Sequence, residues 1–204
     1  DPQLSISLPY TRVIGLQIYH TRTNYQALKF QSSSNNILAE ANIIRGNVAG
    51  SAHGLDVSAS GDNYVYNNLI YDVGDNAIRV NNTNDNFYLY NNTAYGSNHG
   101  IRVEYGNVYA VNNISSNNST DDYHEASGSF MSGSSNNISS DGTAPGSGSA
   151  TSSTVLFKNP YNDDFRLSDN DTVARNAGTT SPASLFTQDI HGAYSGGGWD
   201  IGAD

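Results

Sequence analysis

The chain has 204 residues, no cysteine and a formal net charge of −10. One domain with a sizeable core fits this length; the missing cysteines exclude a disulfide framework, thiol catalysis and Cys-ligated zinc. Nine Lys and Arg against 19 Asp and Glu disfavour nucleic acid as a partner, and no apolar run approaches the length of a membrane span.

From residue 4 onward one phrase recurs: an apolar-x-apolar triplet, a polar turn, a second short strand, an amide residue and a third short strand. The triplets are Leu4-Ser5-Ile6, Leu28-Lys29-Phe30, Leu55-Asp56-Val57, Ile78-Arg79-Val80 and Ile101-Arg102-Val103, at steps of 24, 27, 23 and 23 residues. The amide signal falls at Gln17, Asn42, Asn68, Asn92, Asn113 and Asn137, at steps of 25, 26, 24, 21 and 24. Two markers sharing a period of about two dozen residues predict a solenoid. Short strands between polar corners make it all-β: a right-handed parallel β-helix of about six coils with a C-terminal cap, the coils spanning residues 1–141. Each strand then pairs with its counterpart one coil away, at a spacing of about 4.8 Å.

The inward Asn column has a physical reason. An amide carries both donor and acceptor, so Asn42, Asn68, Asn92, Asn113 and Asn137 can bond the corner backbone and one another as a structural ladder. Strand alternation turns the middle residue of each triplet outward. Lys29, Asp56, Arg79 and Arg102, with Glu104 beside them, then form an outer column. Lys29, Arg79 and Arg102 are the catalytic candidates; the same column also reads as a solvated ladder in which Asp56 offsets Arg79. His53 and His99 hold equivalent positions two coils apart, too distant to share a metal without other ligands. His20, His124 and His191 show no partner in the sequence. Asp72 with Asp75, and Asp121 with Asp122, are carboxylate pairs in turns.

The same alignment places Val13, Leu38, Tyr64, Tyr88 and Tyr109 in one column, with Tyr66 and Tyr90 two residues on. By alternation these tyrosines face outward, as an amphipathic platform for sugar rings or another protein or as ordinary cross-strand packing. Residues 142–154 are Gly- and Ser-rich and read as a linker or irregular turn. Residues 155–204 lose the repeat and read as a cap packed on the solenoid end. There Asp163, Asp164, Asp169 and Asp171 are weak candidates for a structural cation such as calcium; otherwise no metal or cofactor is expected.

The run from Asn63 to Tyr71, with Ala77 to Val80, resembles bacterial secreted right-handed parallel β-helix repeat proteins of the pectate-lyase-like superfamily. In the tail, Asn159-Pro160, Asp164-Phe165-Arg166-Leu167, Asn176-Ala177-Gly178, Asp189-Ile190-His191-Gly192 and Asp200-Ile201-Gly202-Ala203 follow the order of a C-terminal element in that family. The resemblance implies an extracellular or cell-surface location and a role near polysaccharide. For the outer basic column it implies the chemistry of polysaccharide (uronate) lyases. One departure stands out: Leu4-Ser5-Ile6 and Val13-Ile14-Gly15-Leu16 are already coil-like, so the first coil needs upstream coils or another chain over it. The expected function is an extracellular structural or surface subunit. It associates with like chains end to end, through its open end and Tyr face and into a filament, or binds polysaccharide; the alternative is a uronate lyase.

Overall fold

The computed structural model describes residues 2–47, 50–193 and 198–203; the rest of the expected coils and cap (residues 1, 48–49, 194–197 and 204) lie outside them. The fold is all-β. Among the described residues the helical elements are two 3-10 turns, Pro160–Asn162 and Ser181–Ser184. The coils stack into a parallel β-solenoid of about six turns.

Each coil contributes strands to three faces. The first holds Leu4–Ile6, Gln26–Phe30, His53–Val57, the starts of Asn76–Tyr90 and His99–Val111, and Asp121–Glu125. The second holds Arg12–Ile14, Leu38–Glu40, Asn63–Tyr66, the ends of the same two long strands, and Ser129–Phe130. The third is a six-stranded sheet: Gln17–His20, Ile43–Gly46, Leu69–Tyr71, Thr93–Tyr95, Ile114–Ser116 and Ile138–Ser139. Every pairing between coils is parallel, and the triplets stack in register, Leu4 on Leu28, Leu55, Ile78, Ile101 and then Tyr123.

Alternation sends one set of side chains inward, and these columns are the core. Leu28, Leu55, Ile78 and Ile101 fill one, Phe30, Val57, Val80 and Val103 the next, Ala39, Val65, Leu89 and Ala110 a third, all buried. Each large aliphatic side chain removed from water contributes about 1.5–3 kcal/mol. At the inner bend after His53 and His99 only glycine fits. A Cβ on Gly54 would lie 2.7 Å from the carbonyl oxygen of Ala77, and one on Gly100 would lie 2.6 Å from that of Asp122 and against Ser115 Oγ.

The corner between the second and third faces is built from paired amides. Asn42, Asn68, Asn92, Asn113 and Asn137 are fully buried. From Asn42 to Asn113, each Nδ2 donates to the next Oδ1 at 2.9–3.0 Å. Each also donates to a strand carbonyl: Val13, Ala39, Val65, Leu89 and Ala110 in turn. Each Oδ1 from Asn42 to Asn137 also receives the backbone N–H of the coil before, so no corner donor is stranded. The column ends in Ser149, whose Oγ accepts from Asn137 N. At the other end stands Leu16, not Gln17, because Gln17 pairs with Ile43.

The left-handed turn of this corner sits one residue earlier. Asn67, Asn91, Asn112 and Asn136 have φ of 56°, 50°, 58° and 52°. Asn takes this conformation at low cost, through its short polar side chain. Their amides face away from the core and hold the C-terminal segment. Asn67 donates to Gln188 O, Asn91 to Asp200 O, Asn112 to Thr179 O and Asn136 to Ala177 O.

That segment therefore differs from a cap confined to the solenoid end. It runs back along the flank as a strap. The hairpin of Phe157–Asn159 and Asp164–Leu167 lays Phe157 and Phe165 on Leu69, Tyr71 and Tyr95 of the third face. Farther on, Phe186 covers Tyr66. In residues 142–154, expected as a linker or irregular turn, Ser147 bridges Ser135 and Ala150 bridges Ile138, adding part of one more turn.

Candidate functional site

The outer side of the first face carries the chemistry. Lys29, Asp56, Arg79, Arg102 and His124 stand in one column. Gln26, His53, Asn76, His99 and Asp121 stand in the next. Glu104 lies beside them and Asp75 at the adjoining turn. These groups are coupled, and several are buried, which differs from a solvated ladder. Asp56 is fully buried beneath Arg79, whose Nη1 donates to its Oδ2 at 3.2 Å, and Ser58 Oγ donates to the other oxygen at 2.9 Å. A buried carboxylate requires such partners; removing one costs about 3–5 kcal/mol. Glu104 Oε2 accepts from Arg102 Nε at 2.8 Å and lies 3.9 Å from Arg79 Nε, joining two coils.

The histidines complete the strip. His53 Nδ1 contacts the Asn76 amide at 2.9 Å and lies 3.7 Å from Asp75 Oδ2; its Nε2 lies 3.4 Å from Arg79. Burial above all, with Arg79 adding, holds the His53 pKa below its ordinary value. His99 is lowered too, by burial first and then by His124 and Arg102. Both are therefore neutral imidazoles at pH 7. His124, with no partner legible in the sequence, donates from Nδ1 to Asp121 Oδ2 at 2.7 Å, and its ring lies against that of His99, centroids 4.6 Å apart.

Of the catalytic candidates, Arg79 and Arg102 are thus in the strip, and Lys29 stands at its upper end beside Asp56. The sequence reading missed His124 and Asp121 as members. Tyr123-His124-Glu125 is the next copy of the triplet, disguised because Glu125 replaces its last apolar residue. The two carboxylate pairs separate. Asp75 faces His53, whereas Asp72 lies towards Arg45 and Asp163; Asp122 turns inward and accepts from Asn118 and Ser140.

The tyrosine column differs from the expected platform. Its register is Arg12, Leu38, Tyr64, Tyr88, Tyr109, with Val13 in the core column beside Ala39 and with Ile14 outward and 48% exposed. The rings stack on one another: Tyr64 on Tyr88 at 4.8 Å and 15°, Tyr88 on Tyr109 at 5.4 Å and 11°. Rings stacked along the axis spend their faces on each other and present edges outward, so they offer no flat surface to a sugar. Tyr66 is buried under Phe186 and donates to Glu40; burial and that carboxylate push its pKa up to about 12. Tyr90 is pushed up to about 12, chiefly by burial. Tyr64 and Tyr66 still border a groove of about 540 Å³ shared with Tyr10, Arg12, Leu38 and Leu185.

The carboxylates of the strap do not gather at a cation site among the described residues. Asp163 pairs with Arg45, Asp164 with Arg166 and Asp169 with Arg175. Asp171 accepts the backbone N–H groups of Leu156, Val173, Ala174 and Arg175. No helix among the described residues is long and apolar enough to cross a membrane. Comparison with protein-family models, curated proteins and solved structures finds no match to this chain.

Proposed function

We propose that the chain is an extracellular or surface β-solenoid that binds a polysaccharide across the strip from Lys29 to His124. One observation carries this reading: hydrogen-bonding side chains of both polarities, fixed by mutual contacts on successive coils at strand spacing. Sugar hydroxyls both donate and accept, and a run of Arg, Glu, His and Asp groups meets them without needing net charge. Three cations (Lys29, Arg79, Arg102) face four carboxylates (Asp56, Asp75, Glu104, Asp121), so the strip is not an anion trap. The net charge of −10 also repels acidic polymers.

Affinity electrophoresis against neutral and acidic polysaccharides tests the reading. At least one polymer retards the protein; Lys29→Ala and Arg102→Gln each weaken retention about tenfold, and Lys158→Ala on the strap leaves it unchanged. No retardation by any polymer, or equal retardation of all variants, overturns it. The His124–Asp121 contact beside Arg102 favours a lyase version of the same site, since an oriented imidazole next to a guanidinium suits proton abstraction beside a carboxylate. Unsaturated product from an acidic polymer, followed by ultraviolet absorbance, decides that version.

The first coil supports a second reading, association of solenoid ends. Leu8, Tyr10, Ile14, Leu16, Tyr19 and Tyr25 are all exposed there, and no described strand pairs with the outer edges of Leu4–Ile6, Arg12–Ile14 and Gln17–His20. Light scattering at rising concentration tests it: growth in mass that is lost on Ile14→Lys supports association, and a constant monomer mass dismisses it.

A further inference from the structure

We infer that His99, Asp121 and His124 form a binding site for a divalent cation of the zinc class. Their ligand atoms all lie within 4.8 Å of one another. Asp121 Oδ2 is 2.7 Å from His124 Nδ1 and 3.7 Å from His99 Nδ1. A tetrahedral zinc with ligands at about 2.0–2.1 Å holds its donors about 3.3 Å apart, so small side-chain rotations bring these atoms to bonding distance. Two imidazoles and one carboxylate are the donor types such a cation takes, and three protein ligands leave a position open to solvent or substrate.

An independent observation points the same way. His99 is 6% exposed, and its Nδ1 is buried without a hydrogen-bond partner. A buried polar atom of that kind is costly unless something completes it. Two coils earlier the matching position is completed: His53 Nδ1 meets the Asn76 amide at 2.9 Å. At His99 the next coil supplies Asp121 in the place of that amide, with His124 three residues on, and Asp121 stops 3.7 Å short. With a cation on Nδ1 the ring proton moves to Nε2. The 3.4 Å contact from Arg102 Nη1 to Nε2 then gives way, while Arg102 stays on Glu104 through Nε at 2.8 Å. His124 and Asp121 are about one-third exposed, so the cation enters from the solvent side.

The inference stands apart from the polysaccharide reading, because the cation is titrated without any glycan present. The full chain, stripped with a chelator, is titrated with Zn²⁺ by calorimetry, and Co²⁺ is added in parallel to read coordination from its visible spectrum. The expected result is one site per chain with a low-coordinate Co²⁺ spectrum, weakened at least tenfold by His99→Gln and by His124→Gln. His53→Gln, at the completed position, titrates like the parent. Circular dichroism checks that each variant is folded, and Asp121→Asn, which keeps the side-chain shape, supplies a further loss of affinity should a histidine variant fail to fold. Absence of stoichiometric uptake, or uptake unchanged in the two histidine variants and in Asp121→Asn, overturns the inference.

Discussion

Replacing Asn92 with Ala tests the corner ladder most sharply. Its side chain donates to Val65 O and Asn113 Oδ1 and accepts from Asn68 N and Asn68 Nδ2. Asn68 Nδ2 keeps other partners at Ala39 O and Tyr66 O, whereas Asn68 N loses the amide oxygen that serves it in a fully buried corner. Hydrogen bonds of this kind are worth about 1 kcal/mol each net, and an orphaned buried donor adds about 1–3 kcal/mol. Asn92→Ala is therefore expected to lose about 4–6 kcal/mol, a large part of the stability of a domain this size. Asn170→Ala, at an exposed turn, is expected to change stability by less than about 0.5 kcal/mol. Urea unfolding followed by circular dichroism measures both, with an unchanged slope required before midpoints become free energies. A loss at Asn92 no greater than that at Asn170 refutes the ladder as a source of stability.

Three further outcomes follow from particular contacts. Gly100→Ala is expected to destabilise by at least about 2 kcal/mol in the same urea experiment, because its Cβ would meet Asp122 O, Asn118 and Ser115. Asn112→Ala removes the two bonds it exchanges with Thr179, at 2.8 and 2.9 Å; hydrogen exchange should quicken across 176–180 and stay slow in Asn76–Tyr90. His20 is fully buried, between Gln3 Oε1 and Tyr25 O, and burial lowers its pKa below 6.5. The unfolded chain then binds that proton more readily than the folded one, so the stability His20 contributes is present above pH 6.5 and lost as pH falls below it. The melting temperature should hold steady above about pH 7 and drop on acidification, and His20→Gln should lessen the drop; an unchanged slope would contradict this assignment.

The period of the sequence carried the fold. Once two markers kept step, the inward columns, the amide ladder and the stacking of Lys29, Asp56, Arg79 and Arg102 followed from strand alternation. What alternation does not reveal is cover. It turns Asp56 outward but says nothing of Arg79 lying over it, so the strip reads as solvated when it is partly buried. It turns Tyr64, Tyr88 and Tyr109 outward but not which way their rings lie, and at strand spacing neighbouring rings pack face to face. The slip in the first coil came from chemistry that imitates: Gln17 is an amide next to the ladder position, and Leu16 holds that position with only a backbone N–H. The strap was illegible because its partners are mostly backbone carbonyls, which have no residue signature; the doubled Asn at 67–68, 91–92, 112–113 and 136–137 was the sequence sign of it.

Hydroxyl-radical footprinting of the protein with a polysaccharide that retards it locates the contact surface directly. The strip predicts reduced oxidation at His124 and Arg102, with Tyr64, Tyr88 and the first coil oxidised as in the free protein. Protection confined to Tyr10, Tyr64 or Tyr19, with His124 and Arg102 as reactive as before, would contradict it.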